Sequence, residues 1–399
     1  MPELRPGEPL KHILASAERE LVDLAYRITG KLHDDMRTAA DGSRYVVTAA
    51  TSGDAEFAER FGSTKPAHAP SLPGGGAHGV HADVRPISDV NEVVALVYRR
   101  SAELGLHTPA RRALESSLLI DEPFLHVALV SRQTSPEWLF GLREWAGYLD
   151  ARTFARRHGD QELSVPFMVE LHQRLSRFTK PDRGGVFTQR SRSAPQLYPL
   201  TDREIGLIEA NPYLEFRPPG NGGPFLHGGI KYRISSPEEV RTELESLSAW
   251  YNTRHQSGVD PYRLASELQQ RFVSIHPWDD DYNGRSSRLL MNWSLERDGL
   301  APSAAADFNK DLFSTTEEWT DMVRAGSDAF GERAQRLERL GNAADPVAVF
   351  GLERERERYL ALLGDDKTAL LEPGAMHDIT MARALLERFR GNAHYKLWV

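Results

Sequence analysis

The chain has 399 residues, of which 40% are hydrophobic and 27% are charged, and its formal net charge is −8. This composition is typical of a folded globular protein of two or three domains. The acidic charge disfavours a dedicated nucleic-acid-binding protein, since phosphate backbones favour basic surfaces. No apolar run approaches the ~20 residues of a membrane span. The lack of cysteine excludes disulfides, thiolate metal sites and cysteine nucleophiles. We therefore expect a cytoplasmic protein without membrane or nucleic-acid partners.

The first third of the chain is predicted to be mostly helical. Apolar residues recur at helical spacing over residues 9–40 and again over residues 89–150. Between these stretches, residues 63–87 are rich in glycine, proline and histidine, which predicts a loop. Unclustered histidines in such a loop are more often solvated than bound to a metal. Residues 1–135 are therefore expected to form a mostly helical N-terminal region.

The rest of the chain also has mainly helical periodicity. Residues 179–224 contain many glycines and prolines around one short predicted helix, Asp202–Ala210. A stronger helix is predicted to open at Asp260 and to run, with its apolar residues at helical spacing, into His276. Residues 314–399 are expected to form a helical C-terminal region whose alternating charges face solvent.

The most informative stretch is His276–Arg288, with the sequence HPWDDDYNGRSSR. It places a base, three carboxylates, a tight turn and two guanidinium groups within one loop and one helical turn. Carboxylates beside arginines suit a site that holds a divalent cation and a polyphosphate together. The stretch therefore predicts a nucleotide-dependent transferase.

Individual roles follow from the chemistry of these side chains. His276 is the candidate general base, since an ordinary histidine titrates near neutral pH. Asn283 is predicted to support the turn, and Gly284 to admit phosphate close to the N–H groups of a helix start. Arg285 and Arg288 lie three residues apart, on one face of that helix, and are predicted to bind the distal phosphates.

The three consecutive acids cannot all bind one Mg²⁺, which typically takes one or two protein carboxylates. One or two of the three acids are therefore the candidate magnesium ligands. At least one acid of the triplet is expected to be part of an exposed acidic turn. Trp278 is expected to anchor the loop in the core.

The motif resembles the signature of the Fic (filamentation induced by cAMP) family, H-P-F-x-D-G-N-G-R-x-x-R. The likeness extends upstream to Leu171-His172-Gln173-Arg174-Leu175, which is similar to the family's L-H-x-x-L helix, and to Phe225–Arg233, which lies where the family has a β-hairpin flap. It covers roughly residues 136–310. The resemblance implies a mainly α fold: a Fic-like helical core at 136–313 with a small β-hairpin flap, flanked by helical N- and C-terminal regions.

The resemblance also implies a function. Family members move a nucleoside monophosphate, most often AMP from ATP-Mg²⁺, onto a hydroxyl, commonly one on a protein. The expected partners are thus a nucleotide donor and a hydroxyl-bearing acceptor, and a homodimer is left open. In the family, the flap aligns an extended target segment by strand-like pairing. The corresponding residues here are Gly229, Ile230, Lys231 and Tyr232.

The loop departs from the family pattern by one inserted residue, so six residues separate His276 from Asn283. Counting from the histidine makes Asp280 the metal acid, whereas counting from the asparagine makes it Asp281 and puts Tyr282 in a glycine position. The insertion leaves other hypotheses open: phosphotransfer, UMP or phosphocholine transfer, a small-molecule acceptor, or a non-catalytic nucleotide-binding regulatory protein.

The family's inhibitory motif, (S/T)-x-x-x-E-(G/N), is matched only incompletely. The nearest candidates are Ser117–Glu122 and Thr368–Glu372, and neither has the glycine or asparagine that should follow. The sequence therefore does not predict an inhibitory helix.

Overall fold

The fold is taken from a computed structural model, which describes residues 89–120, 122–130, 142–196, 199–220, 225, 227–279, 282–305 and 307–362. The predicted helices of residues 9–40, the loop of residues 63–87 and the Thr368–Glu372 segment lie outside the described residues. The same is true of Asp280 and Asp281.

Twelve α-helices lie in the described part of the chain, joined by two short 3₁₀ turns at Pro181–Arg183 and Phe308–Leu312. In chain order the helices are α1 Val90–Glu103, α2 Pro109–Ser116, α3 Glu122–Val130, α4 Leu142–Arg157, α5 Val165–Ser176, α6 Asp202–Ala210, α7 Pro237–Gln256, α8 Pro261–Ile275, α9 Asn283–Arg297, α10 Thr316–Leu340, α11 Pro346–Phe350 and α12 Glu353–Leu362.

Local sequence signals explain where several helices begin. Thr201, Ser236 and Thr315 each form a capping box with a glutamate three residues later, at the starts of α6, α7 and α10. The box satisfies N–H groups that a helix start leaves without intrahelical partners. Asp260 caps α8 by accepting a hydrogen bond from the Arg263 N–H at 3.0 Å, and Pro261 fits the first helical position.

The main core lies between α4, α5, α7, α8 and α9. Its largest side chains include the fully buried Trp145, Trp278 and Trp293. Helix α4 is buried continuously from Trp145 to Ala155, so it lies inside the bundle. A second cluster joins α2 and α3 to α10 and α11, and thereby packs segments from opposite ends of the described chain together.

Three short strands form one antiparallel sheet in the described residues, in the order β1–β3–β2. They are β1 Arg192–Pro195, β2 Leu214–Arg217 and β3 Gly229–Tyr232. At one end of the sheet, Tyr232 pairs with Arg192 on one side and Leu214 on the other. Ile230 and Leu214 turn inward and pack on Val273 of α8.

The prediction of a mainly α protein is confirmed, as are the helices at Asp202–Ala210 and from Asp260 to His276. The flap is larger than predicted, because residues 179–224 contribute β1 and β2 in addition to their helix. Four-residue strands in a Gly/Pro-rich segment give too little alternation to detect. The three-region division of the chain stays a prediction. No helix in the described residues is long and apolar enough to cross a bilayer.

Candidate active site

The candidate site is the loop between α8 and α9, which begins at His276. This residue ends α8 in the left-handed conformation, with φ 53° and ψ 56°, and its backbone N–H still bonds to the Phe272 carbonyl at 3.2 Å. Among the described residues other than glycine, only His276 has a positive φ. Pro277 follows and cannot continue a helix. Such a backbone is strained for a side-chain-bearing residue, and strain of this kind concentrates at functional sites.

The far end of the loop is closed by Asn283, whose side chain is fully buried. Its amide oxygen accepts the Trp278 N–H at 2.8 Å, and its amide N–H donates to the Trp278 carbonyl at 3.1 Å. Trp278 is itself buried and stacks on His172 with the ring centroids 4.3 Å apart, which confirms its predicted core role. Asn283 therefore supports the turn, as predicted. Its predicted contact with nucleotide remains untested.

Tyr282 occupies the position just before α9 and faces the core, with 1% of its surface exposed. Its hydroxyl bonds to the Thr179 hydroxyl, and its ring contacts His172 edge-on. Its backbone has φ −84°, so this position does not need glycine. Tyr282, which stands in a glycine position of the family pattern, thus packs its side chain in the core and anchors the loop. Its side chain adds no capping hydrogen bond to the first turn of α9.

A segment that precedes β1 lies along the loop. The Thr188 N–H donates to the Pro277 carbonyl at 2.8 Å, and the Asp279 N–H donates to the Val186 carbonyl at 3.0 Å. The Asp279 carboxylate pairs with Arg183 at 2.7 Å and with Arg192 at 2.6 Å. Sequence analysis did not identify these two arginines. Asp279 is therefore engaged by two guanidinium groups, and the magnesium role of Asp280 and Asp281 stays a prediction.

The predicted phosphate-binding residues lie together at the start of α9. Gly284 is buried, while Arg285 and Arg288 are partly exposed. The Arg285 guanidinium lies 4.0 Å above the Tyr282 ring centre and pairs with Glu144 of α4 at 3.1 Å. These two arginines are on the helix face that the three-residue spacing predicts.

Arg288 lies against a different aromatic ring, since its guanidinium is 4.6 Å from the centre of Phe308. Partly exposed guanidinium groups beside a helix N-terminus favour an anion. Glu144 had no signal in the sequence, because it lies 141 residues from Arg285 and no motif includes it.

The sheet covers His276. The Tyr232 ring stacks on the imidazole with centroids 3.8 Å apart and planes 24° apart, and the exposed fractions of Tyr232 and His276 are 2% and 8%. Gly229, Ile230, Lys231 and Tyr232 form the central strand, which is paired on both sides. An extended partner would therefore have to add to β1 or β2, and the docking role of β3 stays a prediction.

A magnesium site is implied by the family resemblance and falls on Asp280 and Asp281, outside the described residues. Within the described part of the chain, no three His, Cys, Asp or Glu side chains cluster as metal ligands would. In the candidate inhibitory motif Ser117–Glu122, the acid position is Asp121, which lies outside the described residues. Glu122, at the position of the glycine or asparagine, pairs with His126 at 3.0 Å and Arg333 at 2.5 Å.

A family comparison identifies the part of the chain that contains this loop. The model of the Fic/DOC family matches residues 162–295, which include the flap, the loop and most of α9. This part of the chain is a Fic/DOC domain.

Two curated relatives each match a part of the chain. A Xanthomonas campestris protein named uridine 5'-monophosphate transferase is 38% identical over 76 residues, 18% of this chain and 14% of its own length. The Caenorhabditis elegans protein adenylyltransferase fic-1 is 31% identical over 113 residues, 26% of this chain and 22% of its own length. The chain thus spans about a fifth or less of these relatives.

Two solved structures of Fic proteins match the chain at low identity and low TM-score. A Fic-domain-containing signaling protein from Bacteroides thetaiotaomicron is 18% identical, with 75% of this chain and 93% of that chain covered and a TM-score of 0.30. A fic-1 fragment from C. elegans is also 18% identical, with 75% and 71% covered and a TM-score of 0.28.

Proposed function

We propose that the Fic/DOC domain transfers a nucleoside monophosphate, with AMP from ATP as the first candidate, to a hydroxyl of a target, most simply a protein. The observation that carries the proposal is the loop itself. Asn283 closes it onto Trp278, so His276 and the start of α9 are held at the two ends of one short, anchored segment. A base and an anion site fixed together are what attack on a bound phosphate requires.

In the proposed reaction, the acceptor hydroxyl gives its proton to the His276 imidazole and attacks the α-phosphorus of the nucleotide. A new oxygen–phosphorus bond forms while the α-phosphorus–oxygen bond to the leaving group breaks, and pyrophosphate departs. Arg285 and Arg288 bind the β- and γ-phosphate oxygens and stabilise the charge that develops on the leaving group. Gly284 lets the phosphates approach the backbone N–H groups of α9.

Asp280 or Asp281 would hold Mg²⁺, since Asp279 is engaged by Arg183 and Arg192. A bound magnesium ion would neutralise phosphate charge and orient the triphosphate. Replacing each acid separately by alanine should show one severe and one mild loss of magnesium-dependent activity. Activity that persists undiminished in EDTA would remove any metal role for the loop.

UMP transfer is the second candidate function. Its support is the Xanthomonas campestris relative, whose matched segment has the higher identity of the two curated relatives described above. Both candidates use the same loop chemistry and differ only in the base of the donor. The inserted residue also keeps phosphotransfer and phosphocholine transfer as outcomes of the test.

The test is to incubate the purified chain and a clarified cell lysate, as a mixture of acceptors, with nucleotides labelled at either the α- or the γ-phosphate. We expect covalent label from α-labelled ATP or UTP and none from γ-labelled nucleotide. Label from the γ-phosphate would indicate phosphotransfer, and label from CDP-choline carrying labelled choline would indicate phosphocholine transfer. Nucleotide binding by calorimetry without any covalent label would support a regulatory protein instead.

A further inference from the structure

Tyr232 makes a close contact with His276 that the predicted docking role of its strand does not explain. The two ring centroids are 3.8 Å apart, which brings the ring faces into van der Waals contact, and both side chains are largely buried. A side chain with 2% of its surface exposed offers almost nothing to a docking partner. The contact it does make is with the proposed general base.

The position of Tyr232 is fixed by the sheet. Its backbone lies on the central strand, opposite Arg192 of β1 and Leu214 of β2. The Ser191 hydroxyl donates to the Tyr232 carbonyl at 2.8 Å. The ring packs in one cluster with Ile230, Leu214 and Val273. Because the backbone of Tyr232 is paired with a strand on each side and its ring is packed in this cluster, the ring has little freedom to move.

The sheet is in turn fastened to the catalytic loop. Arg192, which is opposite Tyr232, pairs with the Asp279 side chain at 2.6 Å and also donates to the Asp279 carbonyl. Asp279 lies three residues after His276, beyond Pro277 and Trp278. Tyr232 and His276 therefore belong to a closed circuit of contacts that joins the sheet to the loop.

His276 needs such support because its backbone alone does not define where the imidazole points. Its left-handed φ of 53° is an unfavourable conformation for a residue with a side chain. A general base must lie within hydrogen-bond distance of the proton that it removes. An error of about 1 Å in such a position can cost about 10²-fold in rate.

We infer that Tyr232 is a positioning residue for His276: its ring holds the imidazole in the orientation in which it accepts the acceptor's proton. The inference rests on the proposed function. It assigns the flap a role in catalysis, because the Tyr232 side chain of the flap orients His276. It distinguishes two contributions of Tyr232, the flat ring and the hydroxyl. Only the ring is required, because the contact is a stack.

The kinetic test compares Tyr232→Leu, Tyr232→Phe and a control, Tyr213→Leu. Tyr213 lies just before β2 and bonds to Glu243 at 2.6 Å, so the control also replaces a tyrosine beside the sheet. We expect Tyr232→Leu to lower kcat by about 10- to 100-fold, with the donor KM changed less than twofold. Tyr232→Phe should stay within about threefold of wild type, and the control should match wild type.

A purely structural or docking role predicts a different pattern. Equal losses in Tyr232→Leu and Tyr232→Phe, or a rise confined to the acceptor KM, would overturn the inference. So would a wild-type kcat in Tyr232→Leu. Melting temperatures of all variants separate a loss of folding from a loss of positioning.

A measurement that needs no turnover keeps the inference separate from the proposed function. In NMR spectra, the His276 ring protons should be shifted upfield by the Tyr232 ring in wild type and in Tyr232→Phe, but not in Tyr232→Leu. If the wild type transfers no group yet shows this pattern, the proposed function fails and the positioning contact stands. If the shift is absent in wild type, the positioning contact fails whatever the activity.

Discussion

The ion pairs at the two ends of α9 differ in how deeply their arginines are buried. At the C-terminal end, Glu296 pairs with Arg152, which has 1% of its surface exposed and also bonds to Glu115 at 2.8 Å. At the N-terminal end, Arg285 pairs with Glu144, and 19% and 33% of these side chains are exposed. A buried guanidinium cannot exchange its carboxylates for water or ligand, whereas a partly exposed one can. A charged side chain alone does not indicate a binding site, whereas a charged side chain that can exchange its carboxylate partner for a ligand does.

Burial also changes the acid–base behaviour at the C-terminal end. The pKa of Tyr148 is raised well above its ordinary value, first because the phenol is completely buried and then because the Glu115 carboxylate lies beside it. Its hydroxyl donates to Glu115 at 2.7 Å. This network ties α2, α4 and α9 together around the buried Arg152, and its partly exposed member is Glu296, with 21% of the side chain exposed.

The largest expected effect is the loss of transfer in His276→Ala. Removing a general base typically lowers the rate by ~10²–10⁴-fold, while folding and nucleotide binding should stay nearly intact. The matched control is His255→Ala, because His255 bonds to Asp298 at 2.9 Å beside the opposite end of α9. Label incorporation at saturating nucleotide measures both. Turnover like that of wild type in purified His276→Ala would exclude this residue from the mechanism.

Breaking the buried network should instead affect stability. Arg152→Ala leaves the buried Glu115 without its cation and leaves Glu296 with only Arg156, at 3.8 Å, which should lower the free energy of unfolding by about 3–5 kcal/mol. Arg285→Ala, at the exposed end, should lower it by less than about 1 kcal/mol. Urea denaturation followed by circular dichroism measures both values. Similar losses for the two variants would contradict the distinction between the ends of α9.

Glu122 provides a pH test of a structural ion pair elsewhere in the fold. Its hydrogen bond with His126 is the main cause that lowers the pKa of its carboxyl to about 2, and Arg333 adds to the effect. A lowered folded-state pKa stabilises the protein above the ordinary value near 4.5, and this stabilisation is lost as the pH falls toward 2. The loss should reach at most about 3 kcal/mol.

The measurement is the free energy of unfolding between pH 5 and 2, compared in wild type and Glu122→Gln. The variant should have a flatter profile over this window. Parallel profiles would show that Glu122 does not contribute to the acid sensitivity.

The smallest effects are expected for ligand binding at the exposed end. Arg285→Ala and Arg288→Ala should each weaken triphosphate binding by about tenfold, or about 1.4 kcal/mol, with monophosphate binding affected less. Glu144→Gln should have the opposite sign, a few-fold gain in triphosphate affinity, since it frees Arg285 from a competing carboxylate. Calorimetric titration of each variant with triphosphate and with monophosphate measures these affinities. Equal losses for triphosphate and monophosphate would assign the arginines a structural role.

Much of the site was predictable because its residues are close in sequence. The C-terminal end of α8, the start of α9 and the loop between them follow from one thirteen-residue stretch. The catalytic and phosphate-binding roles of His276, Arg285 and Arg288 come from the same stretch and stay predictions. Periodicity, a proline after a helix and an Asn-Gly turn are local signals, and local signals act through the backbone of neighbouring residues. The core position of Trp278 was predictable for the same reason.

Tertiary structure decided the rest, because the remaining contacts join residues that are far apart in the chain. The direction of Tyr282 was ambiguous until the core provided Thr179 and His172 to receive it. The pairing of Asp279 with Arg192 spans 87 residues, and that of Arg285 with Glu144 spans 141. Such contacts form only when packing brings separate helices and strands together, and no spacing rule records them. The sequence alone determined which groups the loop contains, and the fold determined which of them are engaged by partners and which can exchange those partners for a ligand.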